Sequence, residues 1–166
     1  MSFFVDKWPI REVRTLGKQH SEYKKYLESI QSRLPSSAIA FATAAWHYDV
    51  KDHRALHDSW LESLTIREIS VGEHRQHRSI EIQIRLLGAY HDGHTVLIYQ
   101  GVRGYSFTLR CRESSTVDRI GHADLLVDEF ALSPNGLLVH ELLFSSGGTS
   151  WIECQDFHWE WQATQG

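Results

Sequence analysis

In residues 80–86 the apolar side chains return at every second position. Ile80, Ile82, Ile84 and Leu86 alternate with Glu81, Gln83 and Arg85. Successive side chains of a strand point to opposite faces, so this spacing predicts a strand with one buried and one wet face. The same period runs on to the end of the chain. His91-Asp92-Gly93 is a hairpin signal, and Val96–Tyr99 reads as the return strand. Tyr105, Phe107, Leu109 and Cys111 then alternate with Ser106, Thr108 and Arg110. Residues 123–132 read as a further strand, and Ser133-Pro134-Asn135-Gly136 as a turn with Pro at its second position. Leu137–Phe144 returns, Gly147-Gly148 turns again, and Thr149–Trp161 reads as one last strand. No helical segment separates these strands. Short links between consecutive strands require antiparallel neighbours and exclude βαβ units.

Upstream the period changes. In residues 21–34, Tyr23, Tyr26, Leu27, Ile30 and Leu34 form one stripe of a 3.6-residue helix, with Lys24, Lys25, Glu28 and Gln31 opposite. Ser21 is the expected N-cap, and Pro35 stops the helix at or before Leu34. Residues 36–46 read either as a short Ala-rich helix or as a buried strand, and helix is the preferred reading. Residues 47–58 are polar and irregular, and residues 71–78 read as an exposed loop. The expectation is one α+β domain over 1–166. One or two N-terminal helices in 1–58 pack on a twisted antiparallel meander in 59–162, of about six or seven strands. A half-barrel is the curled form of the same sheet.

The 166 residues are 42% apolar and 23% charged, the balance of a globular domain. No apolar run approaches the ~20 residues a membrane-spanning helix needs. Met1–Trp8 lacks a basic stretch followed by an apolar one, so no signal peptide is expected and the expected location is cytoplasmic. Cys111 and Cys154 are expected as reduced core thiols rather than as a disulfide.

Charge is unevenly spread. Residues 120–166 carry seven acids and no Lys or Arg, while the preceding residues hold all 17 bases against 14 acids. An acidic surface selects basic partners. The expected partner-binding set is Asp124, Asp128, Glu129, Asp156, His158, Glu160 and Trp161. Trp151, Phe157, Trp159 and Trp161 share one parity of the last strand, expected to be buried, so Asp156, His158 and Glu160 should face solvent. A pI near 6.2 is the wrong sign for nucleic acid, and Arg75 and Arg78 make only a small basic loop.

Histidine is abundant, with 11 copies. His53 and His57 would share one face of a helix, as paired zinc ligands do. No Glu follows His53, so the zincin pattern is absent. His74 with His77, and His91 with His94, have a similar spacing but fall in expected loops. No metal and no other cofactor are expected. His57-Asp58 reads as a structural pair or as a polar binding or catalytic site. A hydrolase would also need a nucleophile. Ser59 and Ser63 are near, but no G-x-S-x-G elbow exists, and Cys111 lies mid-strand. There is no G-x-G-x-x-G phosphate loop.

The order of these segments carries a resemblance. Trp8 precedes the helix Tyr23-x-x-Tyr-Leu-x-x-Ile, which ends in Leu34-Pro35. Then come Leu56-His57-Asp58, an aromatic-rich Val102–Leu109 segment and Trp151-Ile-Glu-Cys near the end. This resembles a group of small uncharacterised bacterial domains and, more loosely, immunity proteins of polymorphic-toxin systems. The stretch from His47 to His53 departs from that pattern as an insertion. The resemblance implies an α+β architecture and a bacterial context, and no mechanism. The leading expectation is a protein-binding module, in its sharpest form an immunity protein neutralising a basic toxin domain. The alternatives are a metal-binding protein or hydrolase using His47–Asp58, and a purely structural role.

Overall fold

A computed structural model describes residues 2–5, 13–109 and 121–164. Among the described residues two α-helices precede the strands. Helix α1 is Val13–Ile30, and a 3-10 turn Gln31–Arg33 leads to α2, Ser36–Ala42. The apolar stripe lies where its spacing puts it. Tyr23, Leu27, Ile30 and Leu34 are buried, and Tyr26 packs against the same cluster. Ser21 is not a cap, because α1 begins eight residues earlier, at Val13. Leu34 is extended (ψ 154°), as steric conflict with the ring of a following proline demands, and this separates the helices. The ambiguous 36–46 segment opens as helix, with Ala38, Phe41 and Ala42 buried.

Among the described residues eight antiparallel strands follow: β1 Trp60–Val71, β2 His77–Leu87, β3 Gly93–Gln100, β4 Gly104–Phe107, β5 Leu125–Leu132, β6 Leu138–Phe144, β7 Thr149–Cys154 and β8 Asp156–Ala163. The fold is α+β, but the strands form two four-stranded sheets instead of one meander. One has the order β1-β2-β3-β8 and the other β4-β7-β6-β5, and neither closes into a barrel. The chain leaves the first sheet at Gly101, whose φ of +60° suits glycine, and builds the whole second sheet. It returns at Gln155, whose N–H donates to the Gln100 carbonyl at 3.1 Å. Residues 149–161 are therefore two strands in different sheets. In β7 the buried residues are Ser150, Ile152 and Cys154, so Trp151 does not share the buried face of Phe157.

Register explains the core. In the first sheet Ile84 faces Leu97, which faces Trp159, and Ile82 faces Tyr99, which faces Phe157. These rows meet Leu125, Phe130, Leu138, Leu142, Phe144 and Ile152 of the second sheet. Phe41 of α2 touches Phe130 on one sheet and Phe157 and Trp159 on the other. Ile84 has no exposed surface. Ile84→Ala is expected to cost about 2–5 kcal/mol, measured as a fall in denaturant midpoint at constant slope. Cys154 is likewise enclosed, and burial pushes its thiol up to about 12, which suits a core thiol. Cys111 lies outside the described residues.

Candidate functional site

Two groupings of polar side chains emerge, one sealed and one open. The sealed one starts from residues whose parity matches the core. Asp128 of β5 is two positions from Phe130, and His140 of β6 lies between Leu138 and Leu142. Asp128 takes the Nε2–H of His47 on Oδ1 and that of His140 on Oδ2, each at 3.1 Å. With Nε2 donating, His140 Nδ1 is the acceptor, and the Tyr99 hydroxyl donates to it at 2.7 Å. Phe130 stacks on His140 with ring centroids 3.9 Å apart, and Phe41 stands edge-on to His47. None of these four polar residues is more than 2% exposed. Burial alone would raise the Asp128 carboxyl, but the charge and hydrogen bonds of His47 and His140 outweigh it and hold it well below the ordinary range. Burial lowers His140, against the opposing pull of Asp128. Having no solvent face, the network orders the core and meets no substrate.

This burial corrects two members of the expected partner-binding set. Asp128 belongs to the network, and Glu129 is 1% exposed. Glu129 accepts the backbone N–H groups of Phe3 and Phe4, while the hydroxyls of Tyr23 and Tyr26 accept the N–H groups of Phe130 and Leu132. Edge strand β5 is thus covered by α1 and the N-terminal residues, and alternation no longer marks a wet face there. His47 is also a core residue rather than part of a polar loop.

The rest of the set is at or near the surface. Asp156, His158 and Glu160 lie on the outer face of the first sheet, as their parity requires, with Asp156 beside His158 at 3.2 Å and Glu160 accepting from Gln162. On the same face Arg85 binds Glu62 and Gln162, and Arg67 binds Glu81. Trp161 turns inward and covers Gly88 and Gly93, where any Cβ would crowd its indole. It is packing for the β2–β3 turn.

The open grouping lies at one end of the first sheet. There the β2–β3 turn meets residues 50–60 and 121–125. Trp60 is paired with Asp124 in an isolated antiparallel bridge that ties β1 to the start of β5. The N–H of Asp58 donates to the Leu125 carbonyl, and that of Leu125 to the Ser59 carbonyl. The Trp60 indole N–H donates to Asp124 Oδ1 at 2.8 Å, and His91 stands at 65° to the indole, 4.5 Å away. Tyr90 stacks on His53 at 4.1 Å, its hydroxyl donates to the Val50 carbonyl, and His53 pairs with Asp92. His57 Nδ1 lies 3.0 Å from Asp58 Oδ2, and both side chains are exposed. Three of the four described non-glycine residues with left-handed φ are here: Asp58 (63°), His91 (58°) and Ala123 (60°). Such conformations cost about 1–3 kcal/mol each and persist where the surroundings impose them.

So the structure brings His53 and His57 to the same end as His91 and Asp92, but pairs His53 with Asp92, His57 with Asp58, and sets His91 against the Trp60 ring. Among the described residues, no three His, Cys, Asp or Glu side chains assemble as a metal site. Exposed aromatics make this end distinctive, and the sequence reading passed over them. Trp60 is 46% and Tyr90 50% exposed. The legible signal is an aromatic beside a turn, in Tyr90-His91-Asp92-Gly93 and in Asp58-Ser59-Trp60. No protein-family model matches this chain, and no curated protein matches it.

Proposed function

We propose that this chain is a protein-binding module whose partner presents a basic surface. The sharpest form of that reading, from the resemblance to immunity proteins, is a basic toxin domain. The observation that carries it is the outer face of β8. Asp156 and Glu160 project there with a histidine and a glutamine as partners, while the arginines of that sheet face are engaged by Glu62, Glu81 and Gln162. Among the described residues neither carboxylate meets a Lys or Arg, and the strand is held from behind by Phe157 and Trp159. Fixed, uncompensated charge on a rigid element steers association and selects the sign of the partner.

Reversing both charges, Asp156→Lys with Glu160→Lys, tests this. The fold should persist, because Glu160 is exposed and half-exposed Asp156 gives up only one local hydrogen bond, from the Phe157 N–H, which a melting curve of the variant checks. Association with a candidate basic toxin domain should slow by about tenfold or more at low salt, and the difference should shrink at moderate salt. Equal association rates for parent and variant would remove the support.

A further inference from the structure

We infer that Trp60 is the anchor of that interface and that it seats an arginine side chain of the partner. This rests on the reading of the chain as a binder of a basic protein, and it assigns a second, separate patch to the task. An exposed tryptophan on a loop is ordinary. Trp60 differs in being held. Its backbone is fixed by the bridge to Asp124, and its indole N–H is committed to the Asp124 carboxylate. His91 fixes the ring from one direction, yet nearly half of the residue stays exposed. A rigid aromatic loses little conformational entropy on binding, the property that makes tryptophan an interface anchor.

The charge around the ring selects the occupant. A carboxylate accepting the indole N–H pushes electron density into the ring, whose face then attracts a cation more strongly. Asp124 Oδ2, on the carboxylate that holds the indole, and Asp58 Oδ1, two residues before Trp60, take no hydrogen bond from any described residue, so both remain for a donor. A planar guanidinium both stacks on an aromatic face and donates forked N–H bonds to carboxylates, which an ammonium or a sugar hydroxyl does less well. The same chemistry is already used inside the chain. Arg54 lies over the Trp46 ring at 5.2 Å while it binds Asp52 with two N–H groups. No described lysine or arginine lies over Trp60 in that way.

The test uses the full chain and an acetylated, amidated Gly-Arg-Gly-Arg-Gly peptide, with its citrulline counterpart as the neutral isostere. In a nitrogen-15 spectrum the arginine peptide should shift the Trp60 indole N–H saturably, and the citrulline peptide should leave it in place. Asp124→Asn keeps an acceptor for the indole and removes the charge. It should weaken the arginine peptide about three- to tenfold with an unchanged circular dichroism spectrum. Trp60→Phe should weaken it partly and Trp60→Ala further, with folding checked in each. Equal binding of the two peptides, or an affinity indifferent to Trp60→Phe and Asp124→Asn, overturns the inference. An arginine peptide that perturbs only Asp156, His158 and Glu160 refutes the Trp60 anchor and leaves the basic-partner reading standing. A peptide that binds nowhere counts against both.

Discussion

Asp128→Ala should cost about 3–5 kcal/mol, a large part of the stability of an ordinary domain. One carboxylate satisfies the Nε2–H groups of both His47 and His140, and all three side chains lie inside the core. Its removal strands two buried donors at once and leaves a void between His47 and His140. Asp128→Asn should cost less, because an amide oxygen still accepts one ring N–H and His140 can exchange roles with the Tyr99 hydroxyl. The same residues set the pH response of the parent protein. The folded state holds His140 below its ordinary value of 6.5, so at lower pH the unfolded chain binds the extra proton and stability falls. The folded state also holds Asp128 below its ordinary 3.8, so its contribution is complete above that value and is lost as pH falls towards its folded pKa. Stability should therefore be flat near neutrality, decline from about pH 6.5 and decline again below 3.8. Denaturant midpoints from pH 8 to pH 3 check this. A midpoint that rises on acidification, or an Asp128→Ala variant as stable as the parent, would contradict the network.

Phe41→Ala should be nearly as severe, about 3–5 kcal/mol. Phe41 has no exposed surface, and its ring meets Trp46, His47, Phe130, His140, Phe157 and Trp159. These belong to both sheets and to the segment after α2, so no single neighbour can move in to fill the space. A cavity that cannot collapse carries the full penalty. Loss of α2 docking should also release Ser37, whose hydroxyl donates to the Phe157 carbonyl on the free edge of β8. Two measurements are decisive: the denaturant midpoint, and hydrogen exchange of β8, which should quicken more than that of β6. Unchanged β8 exchange with a lowered midpoint would show that α2 does not guard this edge.

Much of the fold was legible because its signals are local. The Ile80–Leu86 alternation, the Tyr23–Leu34 stripe, the Pro35 stop and the turns at His91-Asp92-Gly93 and Ser133–Gly136 each depend on residues a few positions apart. All of them appear in the structure. Gly136 donates its N–H to the Ser133 carbonyl as that turn requires. The outward direction of Asp156, His158 and Glu160 was equally legible, since parity within one strand is a local property. The candidate site was only half legible. His57, Asp58 and the His91 turn stood out by composition, but nothing in the sequence said that Trp60 would be tied to Asp124, 64 residues away.

By itself, then, the sequence determined the α+β class, the antiparallel pairing, the helix stripe and the parity of individual strands. Each follows from backbone geometry acting over a few residues. Tertiary structure alone decided that residues 149–154 and 156–163 belong to different sheets, because that depends on which edge, β4–β6 or β3, each strand meets. It alone decided that Asp128, Glu129 and His47 are buried, since a carboxylate can leave water only when distant donors arrive to replace it. For Glu129 those donors are the N–H groups of Phe3 and Phe4. For Asp128 they are two histidines, one from the segment after α2 and one from β6. Acids that look alike along the chain divide into structural and surface groups by long-range packing, which no local pattern encodes.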